Sequence, residues 1–169
     1  IRAYNSTGDV TGAKAVGALV PAGSSKTISV NGIVPGSSEL ALRVRSSGSP
    51  VSAVLGISET HDIRPQGVDT ITAQDNGSEV LNLLGVRNNY DRSNNDAAGS
   101  ENITAQILAP AEDGHATVYA VKENGETIEL SSVELLKEKI TNVQINEWPA
   151  EARAMRIVAD TQIVGAAVG

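Results

Sequence analysis

Apolar and polar residues alternate one for one along much of this chain, and that period of two constrains the fold more than any other feature. Thr27-Ile28-Ser29-Val30, Leu40–Arg45, Ile103–Ile107, Ala116–Val121, Thr127–Leu130 and Val143–Ile145 all follow it. Successive side chains of a strand point to opposite faces, so the pattern predicts strands with one face buried. Asn-Gly pairs at Asn31-Gly32, Asn76-Gly77 and Asn124-Gly125 supply the positive φ that tight hairpins require. The clearest hairpin is Val118–Lys122, then Glu123-Asn124-Gly125-Glu126, then Thr127–Leu130. One stretch departs from the alternation. Ser131–Lys139 opens with Ser-x-x-Glu, a capping-box arrangement, and has apolar residues at 133, 136 and 140. That spacing predicts a short helical segment.

The chain also repeats itself. Residues 41–56, ALRVRSSGSPVSAVLG, and residues 154–169, AMRIVADTQIVGAAVG, share one order: Ala, aliphatic, Arg, aliphatic, a polar interruption, then a small-aliphatic run ending in Gly. The match extends backwards, with KTISVNGIVPG at 26–36 against ITNVQINEWPA at 140–150, and IRAYN at 1–5 against LGVRN at 84–88. The expected fold class is therefore all-β: two tandem immunoglobulin-like β-sandwich units, the second larger and carrying the helical segment. The first unit spans 1–60, a linker that contributes a strand to either neighbour spans 61–78, and the second unit spans 79–169. Both ends fall inside strand patterns, so the chain reads as a piece of a longer one.

Composition narrows the function classes. The chain has no Phe, one Trp and three Tyr, so its core must be built from Val, Ile, Leu and Ala. With no Cys, disulfides, zinc–thiolate sites and cysteine nucleophiles are excluded together. A net charge of −7 with scattered Lys and Arg argues against nucleic acid, which demands clustered cations. No apolar run approaches the roughly 18 residues of a membrane span, so no membrane contact is expected of this stretch.

Several of these elements resemble a known family. They are the "RAYN" and "VRNN" strand ends, "PAGSSKTISV", the "VPG" corner before "ELALRVRSSGSPVSAVLG", and "GVDTI". Together they are similar to large secreted or envelope-anchored actinobacterial proteins with tandem β-sandwich repeats. The resemblance implies an exported, cell-envelope location and neighbouring repeats of the same chain as partners. It transfers no catalytic residues, because the family has no assigned activity.

Candidate sites are few. Asp91, Ser93 and Asn95 stand at the first, third and fifth positions of a calcium-loop spacing, with Asp96 beside them. Such a loop supplies oxygens to a hard cation. The likeness then fails, since Asp96 stands where the turn glycine belongs and Asn102 where a bidentate Glu belongs. The segment 89–101 is thus either a solvated insertion or a calcium site. No other metal and no organic cofactor is expected. His61-Asp62 suggests a catalytic pair, but no Gly-x-Ser-x-Gly elbow accompanies it, and adjacent residues of a strand face apart. His115 is expected as an exposed turn residue. Trp148 aligns with Ile33-Val34 of the first unit, which assigns it to packing rather than to a sugar platform.

These features describe a chain that is not an enzyme. The expected role is a structural or spacer module of an exported cell-envelope protein. The alternative is an extracellular binding module in which the 89–101 loop recognises a cell-surface glycan or protein, with or without calcium.

Overall fold

The structure, a computed structural model, describes residues 1–11, 17–30, 40–61, 64–72, 74, 77–84, 86 and 103–168. Among these the elements are eleven β-strands and no α-helix. β1 (Arg2–Asn5), β2 (Gly8–Asp9) and β3 (Ala41–Arg43) form a small antiparallel sheet in the order β2-β1-β3. β4 (Val54–His61) and β5 (Arg64–Thr72) form a separate hairpin. The remainder is a six-stranded sheet of β6 (Ser78–Leu84), β7 (Ile103–Leu108), β8 (Gly114–Lys122), β9 (Thr127–Leu135), β10 (Ile140–Ile145) and β11 (Ala152–Val168).

The organising element is β11, 17 residues long. Its first half pairs with β8, from Ala152 opposite Lys122 to Ala159 opposite Ala116. Its second half pairs with β7, from Val164 opposite Leu108 to Val168 opposite Thr104. Both partners run antiparallel, so β7, the connection 109–113 and β8 together retrace β11 in reverse. β9 and β10 repeat the arrangement one ribbon further out, on β8 and β7 respectively. Each long ribbon therefore bends at one place: 109–113, 136–139 and 159–163. The bends fold the β10-β7-β11 half of the sheet over the β9-β8-β11-β6 half.

The core lies between the two halves. Ile103, Ala105 and Ile107 of β7, Val143 and Ile145 of β10 and Ile163 of β11 meet Ala116 and Val118 of β8, Leu135 of β9, and Met155 and Ile157 of β11. All are aliphatic or Met, as the missing Phe requires. Burying them stabilises the fold at roughly 25 cal/mol per Å² of apolar area. Burial alternates along β8 in step with its sequence, so register and hydrophobic pattern agree. The β8–β9 turn forms where Asn124-Gly125 predicted it: Gly125 adopts φ 85°, its N–H donates to the Lys122 carbonyl, and the Glu126 N–H donates to Asn124 Oδ1.

The helical segment expected over 131–139 is not there. β9 continues to Leu135 and ends in a turn through Leu136–Lys139. The reason is a β-bulge. Tyr119 faces Glu129 and Val118 faces Ser131, which leaves Leu130 as an extra residue in β9. The slip changes the phase of the alternation, and Val133 and Leu135 then turn inward on β8. Cross-strand hydrogen bonds and burial outweigh the local capping signal.

In the small sheet Ala3 and Tyr4 are both buried, so β1 is covered on both faces. The ladder sets Arg2 opposite Arg43, a like-charge pair. Asp9 at 3.2 Å from Arg2 and Glu138 at 3.6 Å from Arg43 offset the repulsion, and the second pair ties β3 to the β9–β10 turn. Thr27–Val30, expected as a strand, is not part of any ladder. The stretch 61–78, expected as a linker, contains β5, and β5 pairs with β4.

Candidate functional site

The bends are where chemistry-bearing side chains gather. A ladder that turns a corner leaves main-chain N–H groups without strand partners, and buried or half-buried donors must find acceptors elsewhere. Here carboxylates supply them. Asp113 Oδ1 accepts the Lys137 N–H at 2.7 Å, and Asp160 Oδ1 accepts the His115 N–H at 2.6 Å. The buried Thr161 donates from Oγ1 to Glu112 Oε1 at 3.3 Å, and the Glu138 N–H donates to the Ala109 carbonyl at 2.8 Å. The bends at 136–139 and 159–163 are thus each tied to the bend at 109–113. The hydrogen bond from the His115 main chain holds the Asp160 carboxyl below the usual carboxylate range, although the side chain is exposed.

His115 is exposed as expected, but it is a strand residue rather than a turn residue, the second of β8 and opposite Glu134, and it is not alone. Its Nδ1 is 3.6 Å from Asp160 Oδ2 and its Nε2 is 3.9 Å from Glu134 Oε1. The ring is bracketed by carboxylates from both neighbouring strands. Gly114 permits it. A Cβ at Gly114 would lie 2.5 Å from Asp160 Oδ1 and 2.6 Å from Thr161 Cγ2.

The sequence candidates fare unevenly. Asp91, Ser93, Asn95 and Asp96 lie outside the described residues, as does Asp62. Among the described residues no group of three or more His, Asp or Glu could hold a metal ion. Trp148 is half-buried against the core cluster, its Nε1 enclosed and without a partner among the described residues, which matches the packing role. Met155 is fully buried and Arg156 points outward, whereas Leu42 and Arg43 are both half-buried. Sequence reasoning missed the bend carboxylates. Their signal was present as the polar interruption Ala159-Asp160-Thr161-Gln162 in an otherwise aliphatic strand.

These features define an all-β protein with an aliphatic core, folded at bends that carboxylates cross-link. The chain belongs to DUF5719, a family of unknown function, whose pattern matches residues 1–168. No curated protein is significantly similar to it in sequence. Among solved structures it is similar to the Anabaena sensory rhodopsin transducer, at 13% identity and a TM-score of 0.40, over 57% of this chain and 100% of that one. A likeness that distant bears on neither fold nor activity. Among the described residues no helix is long and apolar enough to cross a membrane.

Proposed function

We propose that the chain is a non-catalytic structural module of an exported bacterial cell-envelope protein, built from two related immunoglobulin-like units in tandem. The observation that carries this reading is the matching use of the repeated strand. In the first unit Ala41-Leu42-Arg43 pairs antiparallel with β1, Leu42 opposite Ala3. In the second, Ala154-Met155-Arg156 pairs antiparallel with β6, Met155 opposite Leu83. Each unit sets its Ala-aliphatic-Arg strand antiparallel to its first strand, although β6 meets it three residues ahead of the 84–88 stretch that matches β1 in sequence, and this shared pairing supports a duplicated module. The export expectation rests on the family resemblance of the quoted motifs. It is tested by labelling intact cells of the native host with a membrane-impermeant amine reagent. Labelling of this chain before lysis is expected, and labelling only after lysis overturns the reading.

The second reading, a binding module, is favoured by one observation, the spacing of Asp91, Ser93 and Asn95 with Asp96. Calcium bound to the folded state alone would stabilise it by about 2.7 kcal/mol at a hundredfold excess over Kd. Under the spacer reading, millimolar calcium leaves the melting temperature unchanged. A saturable rise that the Asp91→Asn variant abolishes would transfer the assignment to the binding reading.

A further inference from the structure

The second half of β11 is an unusual edge. Among the described residues, β7 pairs with one side of Val164–Val168 and no strand pairs with the other. β6 reaches only to Ser78, opposite Ile163. Exposed edges are normally protected by charges, Pro or bulges, because their free N–H and C=O groups template another strand. Charge and Pro are both missing here: Thr161–Val168 contains no charged residue and no Pro, its last six residues are Ile, Val, Gly, Ala, Ala and Val, and the register irregularity against β6 ends at Ile163, before the open edge. Low net charge and the absence of Pro are among the features that self-pairing strands have in common.

One side chain stands in the way. Gln74 Nε2 donates to the Gly165 carbonyl at 2.8 Å, and the Gly165 N–H donates to Gln74 Oε1 at 3.2 Å. A single amide thus exchanges both bonds with one residue, as a paired residue of an antiparallel ladder does. Both main-chain groups of Gly165 therefore point away from β7, at the first rung beyond the end of β6. The chain can place Gln74 there because Gly77, at φ 74°, turns it off the ladder against the Ile163 carbonyl, where a Cβ would lie at 2.9 Å.

We propose that Gln74 is an edge plug: its side-chain amide occupies the open rung of β11 at Gly165 and prevents a second copy of this chain from adding its own β11 edge antiparallel to it. The occupant follows from the strand itself. An uncharged edge meets no like-charge opposition from an identical edge, and the two-fold pairing closes after one addition. The proposal does not depend on the envelope role.

The test is sedimentation velocity on the 169-residue chain and its Gln74→Ala variant over a wide concentration range, with far-UV circular dichroism on the same samples. Gln74 is exposed, so the variant removes the plug without touching the core. Wild type is expected to sediment as a monomer, and Gln74→Ala to shift to a dimer as concentration rises, with its strand signal retained. Adding Ala166→Lys, on the face of the strand opposite the core-facing Ile163, should return the variant to monomer by charge repulsion. A Gln74→Ala chain that remains as monomeric as wild type overturns the proposal. So does association that accompanies a loss of strand signal or that Ala166→Lys fails to reverse, because unfolding would then be its cause.

Discussion

Gly114→Ala tests whether the carboxylate cross-links hold the bends in place. The new methyl group would fall 2.5 Å from Asp160 Oδ1 and 2.6 Å from Thr161 Cγ2, inside any tolerable contact distance. Two relaxations are open. The bend can shift as a whole, or Asp160 can swing away and surrender the His115 N–H at 2.6 Å. Overpacking of this kind costs about 1–3 kcal/mol. In a domain of this size that lowers the melting temperature by about 2–4 °C for each kcal/mol. Urea denaturation followed by Trp148 fluorescence reads the change, since Trp148 packs on the core of the bent sheet. The decisive arm is the double-mutant cycle with Asp160→Ala. If the clash with the carboxylate dominates, Gly114→Ala costs clearly less in that background. Equal costs in both backgrounds would refute the carboxylate account and leave the clash to Thr161. Acidity adds a second check. Because the Asp160 carboxyl is held below its ordinary range by the His115 N–H, its contribution is fully present above that range. It is lost as pH falls through the depressed value, so stability declines into acid. Asp160→Ala should flatten that decline, and an unchanged acid limb would count against the assignment.

Two further substitutions follow from enclosed polar atoms. Among the described residues the buried Tyr4 hydroxyl has no partner, and an unsatisfied group of this kind costs about 1–3 kcal/mol of desolvation. Tyr4→Phe should therefore leave stability unchanged or raise it by about 1 kcal/mol in urea melts, and a loss of that size would mean that the hydroxyl is bonded. Trp148→Ala should destabilise by about 2 kcal/mol, less than the 3–5 kcal/mol of a fully buried ring, because the side chain is only half-buried. Circular dichroism must follow this variant, since it removes the sole Trp, and an unchanged melt would overturn the packing role.

What was legible in the sequence and what was not have the same physical origin. Alternation reports that one face of a strand is buried, so β7, β8 and β10 appear in the sequence close to where the structure places them. It does not report a change of phase. The bulge at Leu130 moved the inward positions from Ile128 to Val133 and Leu135, and a strand that slips by one residue looks locally like a helix. Nor does alternation guarantee a partner: Ile28 and Val30 alternate with polar neighbours, yet their segment joins no ladder. The bend carboxylates were illegible for a different reason. Asp113 with Lys137, Asp160 with His115 and Glu112 with Thr161 are pairs across the sheet, and no spacing along the chain encodes them.

The repeated strand shows how little separates two outcomes. In 154–169 the interruption Ala159-Asp160-Thr161-Gln162 keeps every main-chain N–H, and its acid takes up the donor that the bend strands, so one strand of 17 residues runs through the corner. In 41–56 the corresponding stretch is Ser46-Ser47-Gly48-Ser49, flanked by Arg45 and Pro50. Here a Ser46 hydroxyl closes a local turn, donating to the Ser49 carbonyl at 2.7 Å and accepting the Gly48 N–H at 3.2 Å. Pro50 offers no N–H to a ladder, and pairing, which ends at Arg43, resumes only at Val54. The first copy is accordingly split into β3 and β4, each with a different partner, while the second is continuous and carries both halves of a core. Where the second copy has Asp160 and Ile163 the first has Ser47 and Pro50, and with them one bent strand becomes two separate ones.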